Sequence, residues 1–174
     1  MKALRALIVI CLTAIPAAGS AMAQGRSEAV ARAFAENCFN PRLTAKTAQA
    51  TLAPSGARID FYDLRPAFGG PSSKPTGRAA TPGTDRRCEV ALDGYHFEIA
   101  KRWVKNGLRR EKLAKRETRV PSNFAVQNGT TSVSAFRLNA SQLAILQIGL
   151  RQGPNGNETF INVERLTPRE RPNR

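Results

Sequence analysis

Histidine is nearly absent from this sequence of 174 residues, in which His96 is the single example. Catalysis by a Ser-His-Asp or Cys-His system needs a histidine base, and the sequence contains no G-x-S-x-G nucleophile signature. One histidine without spaced cysteine or carboxylate partners also argues against a metal site, and we expect no cofactor. His96 follows Asp93 closely at a predicted helix start, so we interpret it as an exposed first-turn residue rather than a general base.

Long apolar runs are also lacking. The longest, residues 6–17, is shorter than the roughly 20 residues that span a bilayer, so we predict no transmembrane segment. This run follows Lys2 and Arg5 and precedes an A-x-A sequence at residues 21–23, which is the arrangement of a secretory signal peptide. We therefore expect residues 1–23 to be removed and the mature protein to be periplasmic or secreted.

Cysteine is scarce as well. Cys11 lies inside the predicted signal peptide, which leaves Cys38 and Cys88 in the mature chain. Two cysteines in an oxidising compartment have one possible pairing, and we predict a Cys38–Cys88 disulfide. A reactive or metal-binding thiol pair would favour a C-x-x-C spacing or a neighbouring histidine, and neither is present. Closing a loop of this length stabilises a folded chain by roughly 4 kcal/mol.

Acidic residues are too few to balance the basic ones. Without Lys2 and Arg5 the chain has 25 basic and 13 acidic residues, a net charge of +12. More than half of this excess comes from residues 101–119, here called the basic segment, which contains nine basic and two acidic residues. A field of this sign attracts polyanions and lipid head groups and weakens as salt screens it.

Export argues against nucleic acid as the partner of the basic segment, which leaves anionic lipid, glycan or an acidic protein. The alternative is that the charge only keeps the protein soluble. Trp103 is a candidate anchor at a membrane interface. The predicted binding residues are Lys101, Arg102, Lys105, Arg109, Arg110, Lys112 and Arg116.

Hydrophobic periodicity predicts an α+β domain over residues 24–166, with three helices packed on an antiparallel sheet of about five strands. Ser27 is a candidate N-cap of the first helix, and Asn106-Gly107 is a candidate C-cap of the third, which would interrupt the basic segment. The helices are predicted over residues 24–37, 44–52 and 94–106, and the strands over residues 57–64, 87–93, 131–138, 143–150 and 158–165.

Proline and glycine are concentrated in residues 66–84, which contain few apolar anchors. Such a composition cannot offset the entropy of ordering by burial, so we predict a mobile surface loop. Residues 167–174 are predicted to be a disordered basic tail.

Carboxylates on two strands that are expected to pair suggest a second interpretation. Asp60, Asp63, Glu89 and Asp93 occur on these strands, and paired carboxylates can support glycoside hydrolysis. Alternation places Asp60 and Asp63 on opposite faces of one strand, however, and interleaved arginines are ready ion-pair partners. We therefore favour a non-catalytic protein, and the alternative is a small periplasmic hydrolase or transferase that uses Asp60, Glu89, Asp93 or His96.

Three blocks of the sequence resemble those of a family of small exported bacterial proteins of unassigned function. They are E-N-C-F-N-P at residues 36–41, P-G-T-D-R-R-C-E-V at residues 82–90 and G-P-N-G-N-E-T-F at residues 153–160. Some members of such families carry a transferred label of succinyl-CoA synthetase subunit. This chain contains neither a nucleotide-binding glycine motif nor a context for a phosphorylated histidine, so the resemblance implies an exported scaffold and no mechanism.

Overall fold

The computed structural model describes residues 18–65, 73–75 and 78–167, with side chains from residue 24 onward. This part of the chain forms three helices and one antiparallel sheet of six strands in the order β1-β2-β6-β5-β4-β3. The helices are α1 (Ala18–Asn37), α2 (Ala45–Leu52) and α3 (Phe97–Arg110). The strands are β1 (Arg58–Asp63), β2 (Thr84–Asp93), β3 (Glu117–Thr118), β4 (Thr130–Arg137), β5 (Leu143–Gly153) and β6 (Gly156–Leu166).

The predicted α+β class is confirmed, and the sheet has one strand more than expected. The additional strand is β3, whose two residues pair with the edge of β4, Glu117 lying opposite Phe136. A strand of two residues has no readable alternation of polar and apolar side chains, so its sequence carries no strand signal.

One face of the sheet and all three helices enclose a single apolar core. Alternate residues of the strands point to this face, as the period of two requires. The sheet contributes Phe61, Val90, Leu146, Ile161 and Val163, and the helices contribute Val30, Phe34, Leu52, Val104 and Leu108.

The intervening residues point to the opposite face of the sheet, which is polar although it is largely buried. Glu89, Gln147, Glu158, Asn162 and Glu164 are each 3 % exposed or less. Charged side chains are rarely buried to this extent unless they are paired. The side chains of the polar face are therefore part of the packed structure and do not form an ordinary solvent-exposed surface.

The Cys38–Cys88 disulfide is present, as predicted. Cys38 directly follows α1 and Cys88 lies on the core face of β2, with 5.5 Å between their Cα atoms. Both residues are buried. The bond therefore ties the end of the first helix to the sheet across a sequence separation of 50 residues.

The predicted cap of the first helix is wrong, because α1 already begins at Ala18. Ser27 lies inside the helix, where its hydroxyl is buried and donates to the carbonyl of Gln24. The second helix follows the prediction closely: Thr44 caps it by accepting a hydrogen bond from the backbone N–H of Thr47 at 3.2 Å.

The strands are longer than predicted at the β5–β6 hairpin. Pairing continues to Gly153 and Gly156, so only Pro154 and Asn155 form the turn. Gly156 has a φ of +101°, a conformation that side-chain-bearing residues rarely adopt. The predicted strands left residues 151–157 as a loop, whereas Gly156 permits a tight turn.

The predicted mobile loop and tail lie partly outside the described residues, which exclude residues 66–72, 76–77 and 168–174. The remaining parts of the loop make specific contacts. Ser73 exchanges two backbone hydrogen bonds with Asp63, and the carbonyl of Ala79 accepts one from Arg87. Residue 84, the last of the predicted loop, is the first residue of β2.

Candidate functional site

All nine basic side chains of the basic segment are exposed. The segment covers the solvent side of α3, a short 3-10 turn at Ala114–Arg116 and the edge strand β3. Only Leu113 is fully buried among the residues that follow α3 in this segment. The basic side chains are Lys101, Arg102, Lys105, Arg109, Arg110, Lys112, Lys115, Arg116 and Arg119.

The prediction that Gly107 ends the third helix is wrong. Gly107 lies inside α3, where the helix crosses the end of α1, and the helix continues to Arg110. A Cβ atom on Gly107 would lie 2.8 Å from the ring of Phe39 and 2.9 Å from the carbonyl oxygen of Ala35. The glycine thus permits close helix packing instead of terminating the helix.

Because α3 continues past Gly107 to Arg110, its basic residues form a continuous stripe. Lys101, Lys105 and Arg109 follow one another at intervals of four residues and are all exposed. The opposite side of the helix is buried through Ala100, Val104, Gly107 and Leu108. A helix that is fully packed on its apolar side can present charge to a surface without inserting into it.

Most of these cations have no partner among the described residues. Arg102 pairs with Glu28, Arg110 pairs with Glu111, and Arg116 donates to the carbonyl of Leu138 at 2.9 Å. The remaining ammonium and guanidinium groups form no ion pair or hydrogen bond within residues 24–65, 73–75 and 78–167, although Lys101 lies 6.0 Å from the ring centroid of Phe97. The five with no such contact are Lys105, Arg109, Lys112, Lys115 and Arg119.

The Trp103 side chain is not free to anchor the protein at a membrane interface. Its ring is half-buried between α1 and α3, and its indole N–H donates to a carboxylate oxygen of Glu28. This hydrogen bond, together with the guanidinium of Arg102, lowers the pKa of Glu28. The side chain therefore joins two helices.

His96 is the N-terminal cap residue of α3, and its ring lies near the backbone carbonyl of Asp93 rather than a carboxylate. Asp93 itself is exposed and bound to Asn155 and Arg58, which lower its pKa. A general base would need its ring nitrogen beside a nucleophile or an orienting carboxylate. None of the described contacts of His96 supplies either one.

Carboxylates do converge at a different place, on the polar face of the sheet. Asp60 of β1 lies directly opposite Glu89 of β2, and both line a cavity of about 910 Å³, here called the ion-pair cavity. Glu158 and Glu164 of β6 line the same cavity. Asp63 lies on the other face of β1, as alternation predicts.

Each of these four carboxylates is paired with arginine. Arg87 binds Asp60 at 2.9 Å and Glu164 at 2.7 Å, and it is itself only 1 % exposed. Arg151 bridges Glu89 and Glu158 at 2.7 and 2.5 Å. Two further arginines complete the set: Arg78 lies 2.6 Å from Glu89, and Arg58 lies 2.5 Å from Glu158.

The ion-pair cavity is consequently balanced in charge, with four arginines against four carboxylates. Burial raises the pKa of Glu89, and this effect outweighs the opposing attraction of Arg151 and Arg78. Both oxygens of Glu89 are nevertheless occupied by these guanidinium groups. The arrangement holds the carboxylates in place, and a substrate would have to compete with Arg78 and Arg151 for the oxygens of Glu89.

The sequence indicated Asp60 and Glu89, with arginines on the same strands as ion-pair partners, but not Glu158 and Glu164 of β6, which complete the cavity. Glu164 and Arg87 are separated by 77 positions and meet only because β6 pairs with β2. The alternation of β6 contains a signal that could have been used: Glu158, Phe160, Asn162 and Glu164 share one face while Ile161 and Val163 occupy the other.

The described residues contain neither a cluster of metal-ligating side chains nor a membrane-spanning helix. In that part of the chain no three His, Cys, Asp or Glu side chains are grouped as they would be around a metal ion. The helices found there are too short or too polar to cross a membrane.

Comparison with known proteins adds no assignment. The chain matches no family model, and neither the curated proteins nor the solved structures contain a significant match to it.

Proposed function

We propose that this is an exported, non-catalytic protein that binds anionic surfaces through the basic segment. The observation that carries the proposal is the group of five cations without a partner, Lys105, Arg109, Lys112, Lys115 and Arg119. Several arginines outside the basic segment form ion pairs, and in the pair of Arg87 with Glu164 both partners are buried. Unpaired charge concentrated in one segment is consistent with a partner that supplies the opposite charge.

Binding to lipid head groups at the membrane surface is favoured over insertion of apolar side chains into the bilayer. The apolar side of α3 is packed against α1 and the sheet, and Trp103 is held by Glu28. Binding would therefore rest on electrostatic attraction, which contributes about 1 kcal/mol for each Lys or Arg near an anionic membrane surface. Anionic glycans and acidic proteins would be held by the same charges.

The test is binding to vesicles that contain phosphatidylglycerol, with phosphatidylcholine vesicles as the neutral reference. We expect affinity for the anionic vesicles to fall steeply as NaCl is raised from about 20 to 150 mM, because the Debye length shortens. Replacing all five unpaired cations by Gln should abolish binding. Unlike changes at Arg102 or Arg110, these replacements break no contact seen in the described residues.

A matched pair of double variants separates local charge from total charge. Lys105→Gln with Arg109→Gln should weaken vesicle binding by roughly 30-fold, since two contacts of about 1 kcal/mol are lost. Lys46→Gln with Lys74→Gln removes the same charge from exposed positions outside the basic segment and should have little effect. Equal losses in both variants, or no wild-type binding at low salt, would show that the charge only solubilises the protein.

A small hydrolase or transferase is the second candidate, favoured by the pairing of Asp60 with Glu89 and the raised pKa of Glu89. Two observations argue against this candidate. Every one of the four carboxylates in the ion-pair cavity is paired with an arginine, and His96 does not line that cavity. Hydrolysis of a panel of chromogenic glycosides and esters by the wild type, lost in Glu89→Gln, would favour this candidate over surface binding.

A further inference from the structure

A second cavity, of about 330 Å³, lies on the helix side of the sheet beside the disulfide. Its volume corresponds to about eleven water molecules, which suits a short apolar group but not a two-chain lipid. Apolar walls come from the segments that follow α1, α3 and β4 and from the sheet, through Phe39, Leu113, Leu138, Ala144 and Val163. We call this cavity the arginine pocket.

Two arginines of the pocket lining, Arg86 and Arg165, belong to an ion-pair cluster that extends behind the pocket wall. With Arg65, which is 36 % exposed and does not line the pocket, they share two carboxylates, Asp63 and Asp85. Arg165 lies 2.7 Å from Asp85 and 3.2 Å from Asp63, and Arg65 lies 3.1 Å from Asp85. Among the described residues the cluster therefore has three guanidinium groups and two carboxylates.

The excess charge falls on Arg86, which is 5 % exposed and lines the pocket. Its nearest carboxylate oxygen, on Asp63, is 3.8 Å away, and its Nε has no hydrogen-bond partner among the described residues. The guanidinium donates through Nη2 to the carbonyls of Asn40 and Leu43 and lies 5.4 Å from the ring centroid of Phe61. Burial and the neighbouring Arg165 lower the pKa of Arg86 to about 10.

A third arginine of the pocket lining, Arg116, joins it to the basic segment. It is exposed, and its Nη1 donates to the carbonyl of Leu138, which lies in the pocket wall. Among the described residues, the one acidic side chain in the lining is that of Glu111, which is paired with Arg110. An anion in the pocket would therefore meet three guanidinium groups and one carboxylate that is already neutralised.

We propose that the arginine pocket binds one small amphiphile with a single anionic group, a carboxylate or a phosphate monoester, and a short apolar chain. Apolar walls with a few convergent polar groups are the usual composition of a small-molecule site. The anion supplies the charge that Arg86 lacks, and the apolar chain is removed from water by Phe39, Leu113 and Val163. This goes beyond surface binding, because each protein takes up one molecule from solution.

Titration calorimetry with octanoate, octyl phosphate and octyl glucoside, each below its micelle concentration, tests the proposal. We expect saturable binding of one molecule per chain for octanoate, octyl phosphate or both. The anion that binds more tightly shows whether the pocket prefers a carboxylate or a phosphate group. Octyl glucoside lacks the charge, and acetate and inorganic phosphate lack the chain, so each should bind at least tenfold more weakly. Equal binding of octyl glucoside, or no saturable binding of either octyl anion, would overturn the proposal.

Two glutamines near the ends of β5 provide a matched pair of variants. Gln142 lines the arginine pocket and its side chain bonds only Asn139, whereas Gln152 bonds Asn157 and does not line this pocket. Gln142→Trp should fill the pocket and weaken binding of the octyl anion at least tenfold, while Gln152→Trp should bind as the wild type does. Unchanged binding by Gln142→Trp would contradict the assignment.

A charge variant keeps the test valid if Gln142→Trp does not fold. Arg116→Gln changes an exposed position. It should weaken binding of the octyl anion several-fold without altering the weak binding of octyl glucoside. The double variant of Lys105 and Arg109 should retain octyl-anion binding while it binds anionic vesicles roughly 30-fold more weakly. Failure of the pocket assignment and failure of the proposed surface function therefore give different results.

Discussion

Gly107 lies where α3 crosses α1, and the space for its side chain is occupied by the ring of Phe39 and the backbone of Ala35. Alanine has the higher helix propensity by about 1 kcal/mol, but the backbone oxygen 2.9 Å from its Cβ cannot move aside easily. We expect Gly107→Ala to lower the free energy of unfolding by about 1–3 kcal/mol, as overpacking does. Urea denaturation followed by circular dichroism measures this.

Gly25 is the control for this change, since it is also a helical glycine but a Cβ there would contact nothing within 4 Å. Gly25→Ala should leave the protein as stable as the wild type or stabilise it by up to about 1 kcal/mol. If both variants gained stability, the close crossing of α1 and α3 at Gly107 would be wrong.

Glu89 provides a pH-dependent prediction, because burial raises its pKa above the ordinary value of 4.5. The folded protein then binds the proton more tightly than the unfolded chain does, so ionisation of Glu89 destabilises the fold. The free energy of unfolding of the wild type, relative to Glu89→Gln, should therefore fall as the pH rises above about 4.5 and level off beyond the folded pKa.

Urea denaturation of both proteins at several values between pH 4 and pH 7 gives this difference. Gln has no charge to gain, so the variant serves as the reference at each pH. A difference that rises with pH would mean that Arg78 and Arg151 outweigh burial and that the pKa of Glu89 is lowered.

At the scale of the elements, the disulfide joins the end of α1 to the middle of β2. Removing it with Cys38→Ala and Cys88→Ala should lower the free energy of unfolding by about 4 kcal/mol, because the unfolded chain regains the freedom of a long loop. Urea denaturation of the double variant, compared with the oxidised wild type, measures the loss. A change below about 1 kcal/mol would indicate that the unfolded chain keeps these segments together.

The elements that the sequence predicted well are those whose signals are local. The helix predicted over residues 44–52 is present as α2, and alternation placed Asp60 and Asp63 on opposite faces of β1, as they are in the structure. The end of α3 was missed because Asn106-Gly107 has the composition of a C-cap, and only the contact with Ala35 shows why a glycine is needed within the helix. Local composition cannot distinguish a glycine that ends a helix from one that lets another helix approach.

The site could be predicted only in part, for a reason that belongs to the whole molecule. Charge along the chain indicated the basic segment, and its exposure follows from the buried side of α3. The ion-pair cavity and the arginine pocket depend on strand order instead: Arg87 reaches Glu164, and Arg165 reaches Asp63, only when β6 is inserted between β2 and β5. The pairing register of strands that are distant in sequence cannot be read from any single segment of the chain.

The separation of the sheet into an apolar face and a polar face also determines how the molecule would be oriented on an anionic surface. The helices, α3 among them, cover the apolar face, while the ion-pair cavity lies on the other. A molecule held against an anionic layer by α3 would have its helices next to that layer and its sheet behind them. The ion-pair cavity would then face away from the layer, so adsorption through the basic segment would orient every copy alike and leave that cavity open to solvent.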